Sequence, residues 1–177
     1  MTAQPCDIRE LTAADLARSL EDLCEVLRAS VLDGAAIGFM ATLSAAEAQR
    51  FWRDQVGSLV AAQARVLLGA FDGERLVGTV QVILAMPPNQ PHRAEVAKMM
   101  VHPHHRRRRI GQALMAEALA RAAGAGKTLV TLDTRTGDTS ESFYREMGFQ
   151  RAGVMPDYAL DPDGQARHAT TFMYRYI

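Results

Sequence analysis

The sequence predicts a mixed α/β fold built on a central sheet of about seven strands. Its length of 177 residues fits a single domain, taken as residues 1–177, because one hydrophobic core usually serves roughly 100–200 residues. Apolar residues first recur with the helical period and then, after residue 65, in the short β-rich runs that are typical of strands. The predicted order of elements, β-α-α-β-β-β-α-β-α-β-β, is that of a mixed sheet packed against helices.

The first third of the chain contains one short strand and two helices. A strand is predicted at Asp7–Glu10, and a helix over Leu11–Leu32 because apolar side chains recur there every three or four residues. The pattern Thr12–Asp15 resembles a capping box at the start of that helix. The glycine-containing segment Asp33–Met40 breaks the helical pattern, and a second helix is predicted over Ser44–Gln63 behind a serine cap.

The rest of the chain alternates strands with helices. Two strands, Val66–Phe71 and Leu76–Leu84, are joined through Asp72-Gly73, a strong signal for a hairpin. The later elements follow from β-rich runs, from helical spacing and from terminating glycines and prolines. They are a strand at Arg93–His102, a helix at Ile110–Gly124, a strand at Thr128–Thr134, a helix at Thr139–Met147, and strands near Gln150–Met155 and His168–Tyr176.

The composition excludes several classes of protein. The chain is 48% hydrophobic and 23% charged, and 20 basic residues balance 20 acidic ones. Proteins that bind nucleic acids or acidic membranes need an excess of positive charge, and no apolar run reaches the roughly 18 residues of a membrane span. Cys6 and Cys24 are too few for a disulfide framework, and Met1–Glu10 lacks the basic and apolar regions of a secretion signal. We therefore expect a cytoplasmic protein.

The most informative segment is Val101–Leu114, where a strand ends, a basic turn follows and a helix begins. Free backbone N–H groups and the helix dipole attract anions at such a helix start, and Arg106–Arg109 strengthen that positive field. The arrangement suits a phosphate or pyrophosphate group. The same arginines also fit a solvated surface patch or a nucleic-acid-binding segment. A metal site on His102, His104 and His105 is the remaining alternative, although no carboxylate or thiolate partner stands nearby in sequence.

The residues of this turn resemble the acetyl-CoA-binding motif of the GNAT acetyltransferase superfamily, Arg/Gln-x-x-Gly-x-Gly/Ala after a strand that ends in Val-x-Pro. Arg106 takes the first position of the motif and Gly111 the last, while Arg109 stands where the first glycine is expected. A glycine at position 111 allows a ligand to approach the backbone closely. The resemblance extends to the order of elements over nearly the whole chain.

A second segment, Ser142–Phe149, resembles the helix-plus-Gly-Phe signature of the same superfamily, with Tyr144 in the place of its tyrosine. Gly137 occupies the position, seven residues earlier, where the superfamily often has asparagine. Within the superfamily the chain is most similar to the tabtoxin-resistance acetyltransferases. That similarity lies in Asp33–Met40, Arg93–Val101, Leu132–Thr134, Gly153–Tyr158 and Asp161–Gly164. It implies that the acceptor is the amino group of a β-lactam amino-acid toxin.

The resemblance implies a mostly antiparallel sheet flanked by about four helices, with acetyl-CoA as co-substrate and no metal ion. It also implies direct transfer to a small-molecule amine in a ternary complex, by a protein for which a homodimer is common. The backbone of the strand before the turn would pair with the pantetheine amides like an added strand. The expected cofactor-binding residues are Met99, Met100, Val101, Arg106, Arg107, Arg108, Arg109, Ile110, Gly111 and Gln112.

Acetyl transfer from a thioester requires a neutral amine, and a carboxylate can take the proton of the ammonium form. Glu95 stands within an otherwise apolar strand and Asp133 at the C-terminal end of the next, so these carboxylates would bracket an ammonium if the strands are neighbours. Strand alternation predicts that Glu95 lies on the same face as Met99. The simpler alternatives are an ion pair of Glu95 with a neighbouring basic residue and a turn cap by Asp133.

The remaining candidate residues are assigned through the resemblance. Tyr144 would donate a proton to the departing thiolate. Backbone N–H groups near Met100, where the strand of this superfamily bulges and splays from its neighbour, would stabilise the oxyanion. Phe39, Met40 and Trp52 either shape the substrate pocket or belong to the core.

Two other functions stay open on the sequence alone. One is acetylation of a protein N-terminus or a lysine side chain, which is less favoured because the chain has no obvious peptide-binding extension. The other is acyl-CoA binding without catalysis, which the replacement of a motif glycine by Arg109 keeps open.

Overall fold

The computed structural model describes residues 6–177, which form one seven-stranded sheet with helices packed on both faces. The predicted domain begins at residue 1, so its first five residues and half of the segment Met1–Glu10 lie outside the described residues. The strands are β1 (Asp7–Glu10), β2 (Arg65–Asp72), β3 (Arg75–Ile83), β4 (Arg93–Val101), β5 (Leu129–Arg135), β6 (Gln150–Leu160) and β7 (Arg167–Tyr176). Their order is β1-β2-β3-β4-β5-β7-β6, and β4–β5 is the parallel pair among these antiparallel neighbours. The predicted mixed, mostly antiparallel sheet is confirmed.

Helices form within each of the four helical stretches predicted from the sequence, but two stretches are interrupted. Ser19 divides the first into two helices, and a π-helical turn at Phe51–Val56 divides the second. The π turn places both of its aromatic side chains in the core, which its wider winding makes possible at this point. The helices are α1 (Ala13–Arg18), α2 (Leu20–Leu32), α3 (Ala45–Arg50), α4 (Gly57–Ala61), α5 (Ile110–Gly124) and α6 (Thr139–Glu146). Among the described residues, none of these helices is long and apolar enough to traverse a membrane.

Local signals in the sequence correspond to local structure. Capping boxes form at Thr12–Asp15 and at Ser44–Glu47, as their spacing predicts. The turn at Asp72-Gly73 connects β2 to β3, with the glycine at a φ of 65°. The exception is β6, which continues to Leu160 beyond its predicted end at Met155. It is an edge strand, where Pro156 removes no hydrogen bond needed by a further neighbour.

The sheet carries one hydrophobic cluster on each face. On one face α5 buries Leu114 and Met115 completely against strand residues that include Val96 and Val130. On the other face α1–α4 pack over the first half of the sheet around the fully buried Trp52. Burial of each such side chain stabilises the fold by roughly 1.5–3 kcal/mol, so the two clusters hold the sheet rigid between them.

A β-bulge in β4 changes which face its side chains occupy. The register with β3 shifts between Thr79 and Gln81, and Lys98 takes a left-handed φ of 50°. The bulge inserts one extra residue, so Met99 packs in the α5 cluster although Glu95 lies on the opposite face. The prediction that these two side chains share a face is therefore wrong.

The pairing between β4 and β5 is short compared with the strands themselves. It joins Arg93–Glu95 to Leu129–Thr131, whereas β4 continues to Val101 and β5 to Arg135. The two strands therefore separate toward their C-terminal ends, as the resemblance implied. The separation creates an opening between β4 and β5 in the middle of the sheet, directly before the turn that leads to α5.

The turn between β4 and α5 contains two arginines in a backbone conformation that favours glycine. Arg107 has a φ of 61°, and Arg109, the residue immediately before α5, has a φ of 60°. A side chain with a Cβ is strained there, by roughly 1–2 kcal/mol for each residue. Arg109, which stands at the position of the motif glycine, thus has a left-handed backbone conformation that glycine adopts without strain.

Replacing Arg109 by glycine is expected to stabilise the fold. Relief of the left-handed strain outweighs the entropy that glycine adds to the unfolded chain, so we expect a gain of about 1 kcal/mol in the free energy of unfolding. Urea denaturation monitored by circular dichroism measures it. The matched control is Arg121→Gly within α5, which is expected to cost about 1 kcal/mol. Destabilisation by Arg109→Gly would contradict the assigned backbone conformation.

Candidate active site

Backbone groups of two elements meet at the opening between β4 and β5. Beyond Glu95, the edge of β4 that faces β5 has no strand partner among residues 6–177, so the backbone of Met99–Val101 is not paired with a strand on that side. The Val101 carbonyl oxygen accepts from the Arg106 Nε atom at 3.3 Å. At the same end of β4, α5 starts at Ile110 with no side chain capping its first N–H groups. Uncapped N–H groups at a helix start bind anions, and an unpaired strand edge binds an extended amide chain.

The four arginines of the turn divide into two kinds. Arg106 forms an ion pair with Asp33 at the end of α2, and Arg108 donates to Asp72 in the β2–β3 turn at 2.7 Å. These two side chains tie the turn to the rest of the domain. The ion pairs of the described residues include neither Arg107 nor Arg109. Cofactor binding by all four arginines stays a prediction, and in this structure Arg106 and Arg108 shape the turn.

Gly111 has a packing role that the sequence did not indicate. A Cβ at this position would stand 3.3 Å from the Met99 Cε atom and 3.7 Å from the ring of Phe143. The glycine therefore lets α5 pack closely against both β4 and α6. Its neighbour Ile110 is buried in the α5 cluster, so only its backbone faces the turn, and Gln112 is exposed.

Charged side chains line the face of the sheet opposite α5, over the ends of β4 and β5. We call this set the charged face: Arg93, Glu95, Lys98, Asp133 and Arg135. Arg93 donates to the Glu95 carboxylate at 3.1 Å and to Thr131 on β5 at 2.7 Å. The ion-pair alternative for Glu95 is thus observed, and the pair holds the carboxylate beside the β4–β5 opening.

The carboxylates of Glu95 and Asp133 are brought together because β4 and β5 are neighbours, as the prediction required. The Asp133 side chain is accessible to solvent yet surrounded by protein on several sides. Its partial burial and the Glu95 charge raise the pKa of Asp133, while Lys98 and His168 oppose that rise. A raised pKa moves a carboxylate toward the range in which it accepts a proton near neutral pH.

The alternative interpretation of Asp133 as a turn cap is wrong. The backbone N–H of Gly137 donates to Glu141 at 2.7 Å, and the α6 cap itself is Asp138. Gly137, which stands in the place of the superfamily's asparagine, has a φ of 78° in the turn before α6. Asp133 is therefore left for the charged face.

Tyr144 lies on α6 in the buried cluster on the α5 side, in edge contact with the rings of Phe143 and Phe149. Deep burial raises the pKa of Tyr144 strongly, and the charge of Asp133 raises it further. The phenol therefore stays protonated at every physiological pH. A protonated phenol can donate its hydrogen, and the role of Tyr144 as proton donor to the thiolate stays a prediction.

The segment after α2 forms a wall beside the charged face. Phe39 is half-buried, and its ring lies 5.0 Å from that of Phe51, edge to face. Met40 is exposed, and the neighbouring Ala41 N–H donates to Pro162 of the β6–β7 loop at 2.8 Å. Trp52 is fully buried in the core and is not part of this wall.

Lys98 is a charged-face residue that sequence reasoning did not select. Its ammonium donates to the Ile37 carbonyl oxygen at 2.6 Å and lies 5.5 Å from the centre of the Phe39 ring. Burial lowers the pKa of Lys98, an effect that Asp133 opposes. The signal in the sequence is a single lysine in the apolar run of β4, which sequence alone suggests only as one of the basic residues that could pair with Glu95.

The histidines of the turn lie away from the opening. His102, His104 and His105 border a separate groove of about 590 Å³ between α2 and the turn. His102 stands 3.7 Å from Glu25, and His105 stands 3.4 Å from Asp72. Within residues 6–177, no three histidine, cysteine or acidic side chains are grouped so that they could hold a metal ion.

Comparison with known proteins agrees with this geometry. The chain shares its fold with a phosphinothricin acetyltransferase from Sinorhizobium meliloti solved with AcCoA (TM-score 0.76, 23% identity, covering 98% of this chain and 89% of that chain). It also resembles a ribosomal-protein-alanine N-acetyltransferase from Brucella melitensis (TM-score 0.77, 20% identity, coverage 97% and 99%). A GNAT-family acetyltransferase from Streptococcus pneumoniae is similar too (TM-score 0.76, 19% identity, coverage 97% and 99%).

The sequence itself matches a family model. The model, described as the acetyltransferase (GNAT) family, matches residues 30–149, which is more than half of the chain. The matched part runs from the end of α2 to the end of α6 and includes β4, β5 and the turn to α5. The chain therefore belongs to the GNAT family of acetyltransferases.

Proposed function

We propose that this protein is an acetyl-CoA-dependent N-acetyltransferase whose acceptor is the amino group of a small amino acid, a β-lactam amino-acid toxin of the tabtoxin type being the favoured example. One observation carries the proposal. The sheet opens between β4 and β5 where an unpaired strand edge, an uncapped helix start and two carboxylates converge. A thioester carrier and an amine need these three features at one place.

Acetyl-CoA fits the backbone groups at the opening. Its pantetheine amides would pair with the free edge of Met99–Val101, and its pyrophosphate would accept hydrogen bonds from the first N–H groups of α5. Arg107 and Arg109 are positioned to add charge there, since the other two arginines of the turn are held by carboxylates. The S. meliloti acetyltransferase, which has this fold, was solved with AcCoA.

The charged face provides the groups that make the amine reactive. Glu95 and Asp133 attract the ammonium form of the acceptor, and Asp133, with its raised pKa, accepts one proton from it. The neutral nitrogen then attacks the thioester carbonyl: a C–N bond forms and the C–S bond breaks. Backbone N–H groups at the β4 bulge near Met100 stabilise the oxyanion. Tyr144 gives its proton to the departing thiolate, and the second proton of the nitrogen, released as the tetrahedral intermediate collapses, restores the phenol.

The surroundings of the charged face support a small acceptor that bears both charges. Cations and carboxylates alternate along it, as Arg93 beside Glu95, Lys98 near Asp133, and Arg135 at 3.1 Å from Asp161 of the β6–β7 loop. This pattern is complementary to an amino acid, which carries an ammonium and a carboxylate. The hydrogen bond between Ala41 and Pro162 joins the wall after α2 to the β6–β7 loop. This closure favours a free amino acid over an extended peptide.

An acceptor panel tests the proposed function. Thiol release from acetyl-CoA is followed spectrophotometrically with amino acids, β-lactam amino acids, simple amines and peptides. We expect turnover with amino acids, most of all with the β-lactam compounds. Turnover confined to peptides would overturn the proposed acceptor class, and tight acetyl-CoA binding without any turnover would favour an acyl-CoA sensor instead.

Removing either carboxylate is expected to slow the reaction. Asp133→Asn should lower kcat/KM by about 10²–10⁴-fold, because a positioned proton acceptor contributes that much. Glu95→Gln should lower kcat/KM by a smaller factor, because it removes one of the two charges that attract the ammonium. The matched controls are Glu117→Gln and Asp54→Asn, which alter surface ion pairs on α5 and on the π turn. Full activity in both charged-face variants, or equal losses in the controls, would remove the catalytic assignment.

A further inference from the structure

Lys98 is a charged residue in the middle of the site to which the proposed reaction assigns no step. It stands at the β4 bulge in a left-handed conformation with a φ of 50°. The chain has two lysines, Lys98 and Lys127, among 20 basic residues. A buried ammonium on the strand that borders the acetyl-CoA opening is costly unless its contacts compensate.

The contacts of Lys98 connect two parts of the site. Its ammonium donates to the Ile37 carbonyl oxygen at 2.6 Å and faces the Phe39 ring at 5.5 Å, so it joins the wall after α2 to the bulge in β4. A Cβ on Gly38 would stand 3.2 Å from the same ammonium, which shows how closely the wall approaches it. The hydrogen bond to Ile37 leaves further N–H donors of the ammonium for the charged face.

The titratable groups that act on Asp133 come from three elements. Glu95 on β4 faces it with a negative charge, and the Tyr144 hydroxyl on α6 is also close enough to interact with it. Lys98 on β4 and His168 on β7 are the cations that oppose the rise in the pKa of Asp133. Of these two, Lys98 has the larger effect, so it is the main countercharge there.

We propose that Lys98 is a positioning residue: its ammonium fastens the Ile37–Phe39 wall to the β4 bulge and supplies the countercharge that keeps the Asp133 carboxylate ionised, and so able to accept a proton. The inference rests on the proposed function, because it assigns Asp133 the role of taking the proton of the acceptor amine. Lys98 itself exchanges no proton in the reaction. The bulge in β4 therefore serves both halves of the proposed reaction. Its backbone N–H groups face the oxyanion, and its residue Lys98 supplies the countercharge of Asp133, the base that takes the proton of the amine.

Replacing Lys98 by methionine removes the charge and keeps most of the apolar stem. We expect the titration midpoint of Asp133, followed by ¹³C NMR of its carboxyl carbon without any substrate, to rise by about one pH unit. The acidic limb of the kcat/KM profile should move up with it, so activity is lost at a higher pH as pH falls. Lys98→Arg, which keeps a cation, should restore both midpoints.

Lys127→Met is the matched control. The Lys127 ammonium donates to the carbonyl oxygens of Leu84 and Pro91, both at 2.9 Å, so it anchors backbone as Lys98 does but outside the charged face. We expect the Asp133 midpoint to stay unchanged in this variant. An equal shift in Lys127→Met, or no shift in folded Lys98→Met, would overturn the proposal.

The electrostatic coupling between Lys98 and Asp133 is also measured through the titration of Lys98, in a variant that leaves the residues of the bulge unchanged. In Asp133→Asn, the Lys98 signal, one of two in a lysine-labelled sample, should titrate at a lower pH than in the parent protein, because coupling between two groups is reciprocal. An unchanged Lys98 midpoint would refute the role of Lys98. These titrations use no substrate, so they remain decisive even if the acceptor panel shows no turnover, a result that would refute the proposed function alone.

Discussion

The separation of β4 from β5 after three paired residues is the constraint on which the rest of the site depends. A continuous parallel pair would satisfy the backbone of Met99–Val101 internally and leave no strand edge for a ligand. The unpaired part of β4 packs against α5 on one face and contains the bulge at Lys98 in its pairing with β3. The cost of the unpaired edge is tolerable only where water or a ligand replaces the missing partner.

The two faces of the sheet carry different groups of the candidate site. The α5 face carries the helix start, the close packing at Gly111 and the buried phenol of Tyr144, which the proposed mechanism assigns to the thioester and its leaving group. The opposite face carries the carboxylates and cations that the proposal assigns to the acceptor amine. The bulge in β4 lies where the two meet, and its left-handed residue, Lys98, contacts only the acceptor side. Ionic groups are thus concentrated on the face where proton transfer is proposed.

Much of this arrangement could be predicted from sequence because its signals are local. The capping boxes, the Asp72-Gly73 hairpin and the strand–turn–helix before α5 are each encoded within a few residues. The bulge in β4 was implied by the family resemblance and is confirmed, but residue alternation alone gives no sign of it, since a bulge is a mismatch with a partner strand. The ion pair of Arg106 with Asp33 bridges positions 73 residues apart, so a run of four arginines gave no hint that two of them are structural. Likewise, the role of Glu95 and Asp133 together depended on β4 and β5 being neighbours, which only the fold decides.

The central claim, that the β4–β5 opening and the start of α5 bind coenzyme A, is tested most directly by amide hydrogen exchange measured by NMR with and without coenzyme A. The account predicts slower exchange in the complex at Met99–Val101 and at the first N–H groups of α5, because each gains an acceptor. Residues of the histidine-lined groove, such as Glu25 on α2, should be unaffected. Protection in that groove with none along β4 would contradict the account.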